Sequence, residues 1–291
     1  VDHVQLWYSV VEQACFFGLL GLAYMLILEG AGFFNFAIGA YAMIGGVAAA
    51  SFAKTMHLPV WLAVVAALAL AGLLAAFTEV GVVRPIQRRS GGARLPALVA
   101  VIAMLFAITQ TAGLLFGRKQ LPGQQLLVID PLEVAGAYVS GPMIITMALT
   151  VVSFVGVTVW VRVTGTGRML RAVGDNRPAA QLLGLPTGRV RITAFVIAGV
   201  IAAFAGVSYA AKGGVSWDRG LGWALLGFLA LVIGGSGSWW APLLGGLILA
   251  LLQVFVPFYL SGQFADYAIL AIALIFFAFR PRGLITRQVR I

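Results

Sequence analysis

Residues 220–265 read GLGWALLGFLALVIGGSGSWWAPLLGGLILALLQVFVPFYLSGQFA, and none of these 46 residues carries a charge. A helix needs about 20 apolar residues to cross the hydrocarbon core of a bilayer. This one stretch is therefore long enough for two passes, with Gly234-Gly235-Ser236-Gly237-Ser238 marking the turn between them. The rest of the chain repeats the pattern. Residues 6–28 are apolar apart from Glu12, residues 58–83 carry only Glu79, and residues 95–116, 139–161 and 192–211 carry no charge. Residues 32–53 are uncharged but interrupted by Gly32, Gly39, Gly45 and Gly46. A last span falls at about 264–279. This gives nine crossings, or eight if 32–53 dips in and returns. The expected fold is an all-α polytopic membrane protein with glycine-broken segments, forming a single transmembrane domain over residues 1–291.

Composition excludes the other broad classes. Of 291 residues 62% are hydrophobic and 10% are charged, where an average soluble domain has roughly a quarter charged. A soluble domain of this size could not bury so much apolar surface. Cys15 is the only cysteine, so there is no disulfide framework. Val1-Asp2-His3 does not read as the basic start of a cleavable signal peptide.

The net charge of +10 would suggest nucleic acid in a soluble protein. Its distribution points elsewhere. Arg84, Arg88, Arg89 and Arg94 lie in one interspan segment, and Arg162, Arg168, Arg171, Arg177, Arg189 and Arg191 lie in another. Arg280, Arg282, Arg287 and Arg290 follow the last span. These segments hold 14 of the 19 basic residues and one acid, Asp175; the remainder of the chain sums to −3. Lys and Arg collect on the cytoplasmic side. Nine spans put all three segments on that side, with the N-terminus outside and the C-terminus inside.

Catalytic and metal chemistry find little support. There is no G-x-x-x-x-G-K-[ST] loop, so this chain does not bind ATP by that route. His3 and His57 are too few and too isolated to hold a metal. No arginines recur at three-residue spacing within a span, as a voltage sensor would need.

The segment 162–191, RVTGTGRMLRAVGDNRPAAQLLGLPTGRVR, is long for a connector. Asp175 or Asn176 can cap a helix start, and Pro178 suits its first turn. Ala179, Ala180, Gln181, Leu182 and Leu183 favour helix, Gly184 suits the position just past its end, and Pro186 prevents continuation. The spacing predicts a helix of about two turns, too short to stand alone in water. Something should pack on Leu182, Leu183 and Leu185, either the membrane surface and the chain's own cytoplasmic ends or a groove on a cytoplasmic partner.

At this point the sequence resembles a known family. RAVGDNRPAAQLLGL followed by RVRITAFVIAGVIAAFAGV is similar to the cytoplasmic loop and next span of bacterial branched-chain amino acid ABC permeases of the LivH/LivM type. FNFAIGAYAMIGG at 34–46, VVRPIQRR at 82–89, GFLALVIGGSGSWWAPLLGG at 227–246 and FRPRGL at 279–284 resemble further family segments in the same order. Length and the early FNFAIG resemble the H-type subunit more than the longer M-type. The chain departs from the family at Ile38, where its second span often has a histidine.

The resemblance implies a permease subunit without catalytic residues, cofactor or metal. It implies a second permease subunit of M-type, two cytoplasmic ATPase subunits carrying ATP and Mg, and an external substrate-binding protein, all assembled on the bacterial inner membrane. Asp175, Asn176, Pro178, Ala179, Ala180, Leu182, Leu183 and Gly184 would form the coupling helix to the ATPase. The cargo would be leucine, isoleucine and valine or a related small solute; urea, short amides and aromatic acids remain alternatives. A stand-alone secondary transporter or channel would need coupling acids deep in the membrane.

Polar residues inside spans usually face the bundle interior. Asn35, Tyr41, Gln110, Ser208 and Tyr209 are the pathway candidates, against interhelical hydrogen bonding as the plainer role. The two glycine-interrupted segments, 32–53 and 222–246, enter from opposite sides, as an inverted repeat about a midplane site would. Glu12, Glu79 and Asp266 read as interfacial. Trp7, Trp61, Trp217, Trp223, Trp239 and Trp240 read as an aromatic belt. The outer segments 117–138 and 212–220 carry mixed charge, suited to docking a binding protein or simply to solvation.

Overall fold

A computed structural model describes residues 2–125, 130–134, 137–260, 262–280 and 283–285. Arg282, Arg287 and Arg290 lie outside the described residues. The elements are α1 (Asp2–Ala31), α2 (Ile38–Thr55), α3 (Val60–Phe77), α4 (Arg84–Arg89), α5 (Arg94–Leu115), a hairpin of β1 (Leu132–Val134) and β2 (Ala137–Val139), α6 (Gly141–Val163), α7 (Gly165–Asp175), α8 (Arg177–Leu182), α9 (Thr187–Gly213), α10 (Gly220–Gly234), α11 (Ala241–Tyr259) and α12 (Gly262–Phe279).

Each stretch expected to cross the membrane is helical. Six helices are long and apolar enough to span by themselves: α1, the α3–α4 rod, α5, α6, α9 and α11. Three expected crossings fall short of that standard. The 18 residues of α2 are rich in Gly and Ala. The 15 of α10 reach only about 22 Å at 1.5 Å per residue, and the apolar part of α12 is confined to Tyr267–Phe276.

The α3–α4 rod is joined by a π-helical turn, Thr78–Val83. Its cause is visible in the sequence. Pro85 has no N–H to give to the carbonyl of Gly81, and its ring would crowd that carbonyl in a regular α-helix. The turn widens instead, and the Arg84 N–H reaches the Glu79 carbonyl five residues back.

The bundle is built around α1, which packs on α9, α10 and α11, while α2 packs on α9, α3 and α10. Here the expectation for 32–53 needs correcting. Gly39, Gly45 and Gly46 do not break the helix; α2 is continuous, and the irregular backbone is confined to residues 32–37. These glycines instead let backbones touch. A Cβ on Gly39 would lie 2.0 Å from the Gly220 carbonyl, and one on Gly206 of α9 would lie 1.8 Å from the Ala42 carbonyl. Gly199 likewise sits against Ala71 and Ala75 of α3. The small-residue face of α9 therefore serves the core of this chain. Val151, Val152, Val155 and Val159 of α6 and Leu270 and Leu274 of α12 are exposed, as befits faces turned to lipid or another subunit.

The two ends of the bundle are tied separately. At one end, the Leu121 and Val215 backbones exchange hydrogen bonds, both 2.9 Å, and Gln120 Nε2 donates to the Gly213 carbonyl at 2.7 Å. Gln5 of α1 bonds the Tyr138 backbone of the hairpin in both directions. The two outer segments and the start of α1 thus form one surface, on which the Arg118 guanidinium lies 5.4 Å over the Trp217 ring. At the other end, Arg177 donates to the Ala31 carbonyl and Arg84 to the Gly188 carbonyl. Gly283–Ile285 join this end by pairing with the turn after α10: Leu284 N–H donates to Ile233 and Ile285 N–H to Gly234.

Candidate translocation and coupling sites

An open cavity of about 310 Å³ enters the bundle from the end that holds the outer segments. It lies between α1, α6 and α9, and its walls include Glu12, Gln13, Ser208, Tyr209 and Arg219. A neighbouring cavity of about 370 Å³ shares Gln13, Phe16, Tyr209 and Arg219 and reaches Trp223 of α10 and Gln253 of α11. The lining is two-sided. Phe16, Tyr209 and Trp223 form a three-ring cluster with centroids 4.8 to 5.2 Å apart, tilted and edge-on as ring quadrupoles prefer. Opposite sit charges of both signs: Glu12 paired with Lys212, and Asp218 beside Arg219, its carboxylate accepting from the Ser216 hydroxyl. Gln13 Oε1 and the Ser208 hydroxyl are buried and unbonded. Buried polar atoms normally have partners, so these two are free to meet a guest.

The structure divides the sequence-derived pathway candidates. Ser208 and Tyr209 line the outer cavity. Asn35 and Tyr41 do not; both are fully buried. Asn35 Oδ1 accepts the Ala37 N–H at 3.0 Å and shapes the entry to α2. Tyr41 faces Asn35 and Thr78, and so lies on a buried polar string leading toward Glu79. Gln110 is on an exposed face of α5, away from both groups. Trp223 is 4% exposed within the ring cluster and is not part of an interfacial belt.

Glu79 also departs from expectation. It is fully buried, beyond the reach of water or headgroups. Its carboxylate accepts from Arg191 of α9 at 2.7 Å and lies 3.5 Å from Arg84 Nε. Arg191 Nη1 donates to Gln87 Oε1 at 2.7 Å. A buried charge is tolerable only when paired and hydrogen-bonded in this way. The signal in sequence was partial: Arg84 follows Glu79 by five residues, but Arg191 lies 112 positions away.

At the same end stands the expected short helix. The cap is Asn176, whose Oδ1 accepts the Ala179 N–H at 3.0 Å, and Pro178 occupies the first turn. Gly184 has φ +74°. Leu185 N–H bonds the Ala180 carbonyl and Gly184 N–H the Gln181 carbonyl, the paired closure that ends many helices at a left-handed residue. Asp175 and Pro178 line a cavity of about 530 Å³ between this helix and the end of α1. Ala180 is buried and anchors the helix inward, so it cannot be a contact with a partner. Leu182 and Leu183 are 90% and 80% exposed, while Leu185 packs on the core. The preceding helix α7 was not anticipated. The Thr164 hydroxyl caps it by accepting the Gly167 N–H, and Leu170 and Val173 bury its inner face. Its glycines and arginines hid that stripe. Burial and the neighbouring Arg191 and Arg94 lower the Arg177 pKa, against a smaller opposing effect of Glu79.

A bundle of apolar helices with a polar cavity at one end and a projecting helix at the other has the architecture of a membrane transport permease. The chain belongs to the family described as branched-chain amino acid transport system, permease component, whose pattern matches residues 8–279. It is 27% identical to the high-affinity branched-chain amino acid transport system permease protein LivH of Escherichia coli K12, over 98% of this chain and 96% of that protein. It is also 27% identical to BraD of Pseudomonas aeruginosa, a permease protein of the same kind of system, over 93% of this chain and 92% of that one. Among solved structures, a chain of PsaBC from Streptococcus pneumoniae has the same fold, with a TM-score of 0.56 at 14% identity over 95% of this chain and 92% of the other.

Proposed function

We propose that this chain is the membrane permease subunit of a binding-protein-dependent ABC importer for branched-chain amino acids in the bacterial inner membrane. The observation that carries the substrate class is the outer cavity. Glu12 and Arg219 offer opposite charges to an α-ammonium and an α-carboxylate, and the Phe16–Tyr209–Trp223 rings offer an apolar wall to an aliphatic side chain. Urea or a short amide would leave both the charges and the rings unused. The relatives in amino acid transport support the same reading.

The orientation that agrees with the basic segments puts the cavity and the N-terminus outside and α7, α8 and the C-terminus inside. Substrate enters from a binding protein seated on the joined outer segments. ATP and Mg act on two partner ATPases, which engage α8 through Leu182 and Leu183. A second permease subunit, of the M-type, packs on the exposed apolar faces. The outer cavity and the buried string of Asn35 and Tyr41 are successive parts of one route, and α2 and α10 are counterparts in an inverted repeat about it.

The test is ATP hydrolysis by the reconstituted complex with its binding protein. Leucine should stimulate it and urea should not. Arg219→Gln and Glu12→Gln should each raise the leucine concentration needed for half-stimulation about tenfold, the weight of one charge-assisted hydrogen bond. Stimulation by urea, or leucine stimulation unchanged in both variants, would refute the substrate assignment.

A further inference from the structure

A second cavity opens at the α8 end, with a volume of about 390 Å³. Three elements wall it: α4 gives Arg84, Gln87 and Arg88, the start of α9 gives Arg191, and α8 gives Arg177 and Gln181. Four guanidinium groups thus face one space. Glu79 offsets part of that charge by pairing with Arg191 and Arg84. Among the described residues, Arg88 and Arg177 make no ion pair. The adjoining larger cavity shares Gln87, Arg177 and Gln181 and is lined by Arg94 on one side and by Glu29 and Asp175 on the other.

Arg191 supplies the observation that points to a guest. It is 6% exposed. Its two terminal nitrogens are committed to Gln87 and Glu79, yet its Nε is buried with no hydrogen-bond partner. A buried donor left unmet is costly, and an acceptor oxygen in this cavity would meet it. Guanidinium groups hold phosphate oxygens by paired donors, and basic pockets between membrane helices suit phospholipid headgroups. The place also fits. Arg84 begins where the apolar run of α3 ends, at the level where headgroups lie.

We infer that the cavity between α4, α8 and the start of α9 binds a phosphate-bearing anion, held by Arg88 and Arg177 at its mouth and by Arg191 within. The phosphate belongs either to an anionic phospholipid headgroup or to a soluble phosphate compound. Either guest bridges α8 to α4 and α9, and so sets the resting position of the one helix that projects toward a partner.

Native mass spectrometry of the full chain in neutral detergent reads this directly and does not depend on the transport assignment. Phosphatidylglycerol, phosphatidylcholine and inorganic phosphate are the probes. Phosphatidylglycerol should be retained over phosphatidylcholine, and Arg88→Gln and Arg177→Gln should each weaken its binding about fivefold, the contribution of one basic residue. Arg162→Gln, a basic residue outside the cavity, should leave it unchanged. Inorganic phosphate that binds in an Arg88- and Arg177-dependent manner, without a preference for phosphatidylglycerol, assigns the site to a soluble guest. If no probe depends on Arg88 or Arg177, the proposal fails. It fails also if Arg88→Glu abolishes co-purification of an ATPase subunit while anion binding is unchanged, for the cluster is then a protein contact.

Discussion

Glu79 compensates two arginines from a position no solvent reaches. Glu79→Gln should therefore destabilise the purified chain by about 3–5 kcal/mol, because Arg191 is left buried without its counter-charge. Adding Arg191→Met to Glu79→Gln should recover most of that loss. Thermal unfolding of the single and double variants checks the prediction, and strictly additive losses would mean that the two groups do not interact. The same site shows what one residue's sequence context can reveal. Local chemistry was legible: Asn176 as a cap and Gly184 as a terminator follow from side-chain reach and backbone freedom within a few residues. The Glu79–Arg191 pair was not, since it depends on how two distant helices meet. Trp223 was misread for the same reason, a tryptophan near a span end being equally suited to a headgroup layer and to a cluster of rings.

Among the elements, α8 is the one whose features separate most cleanly. Asn176→Ala removes its cap and should cost about 1 kcal/mol of local helix stability. Hydrogen exchange should quicken across Arg177–Leu182 while exchange in α1 stays unchanged. Cysteine at Leu182 or Leu183 should crosslink to a co-expressed ATPase subunit, whereas cysteine at buried Ala180 should not; crosslinking of the reverse pattern would reject the docking surface. The α2–α9 contact makes an opposite prediction. Gly206→Ala pushes a methyl into the Ala42 carbonyl and should destabilise by about 1–3 kcal/mol, the usual range for overpacking, readable as a lowered midpoint of thermal unfolding. The extent of these helices was legible because apolar length is a strong signal. Which glycines bend a helix and which let it touch a neighbour was not, because both uses leave the same letter in the sequence.

For the molecule as a whole, hydropathy and charge gave the number of segments, and the structure adds which loops share an end. The N-terminal part of α1, the Leu121–Val215 pairing and the β1–β2 hairpin stand together, opposite α4, α7 and α8. With Cys15 replaced by Ser, a single cysteine at His57 should react with a membrane-impermeant thiol reagent on intact cells. One at Gly91 should react only after permeabilisation. The reverse pattern would invert the proposed orientation. The outer cavity was half legible. Ser208 and Tyr209 stood out as polar residues in an apolar run, but Glu12 and Arg219 join them only through the packing of α1 against the start of α10.

The π turn at Thr78–Val83 has one more implication. It amounts to a single extra residue spliced into a helical rod, so the residues before and after it are out of phase by roughly 100°. The face of α3 that meets α9 and the face of α4 that carries Arg84 and Gln87 are therefore set independently, by an insertion and not by side-chain chemistry. Removing one residue, such as Val80, would bring the rod back into phase. The protein would then keep every group of the buried charge cluster and lose only their alignment.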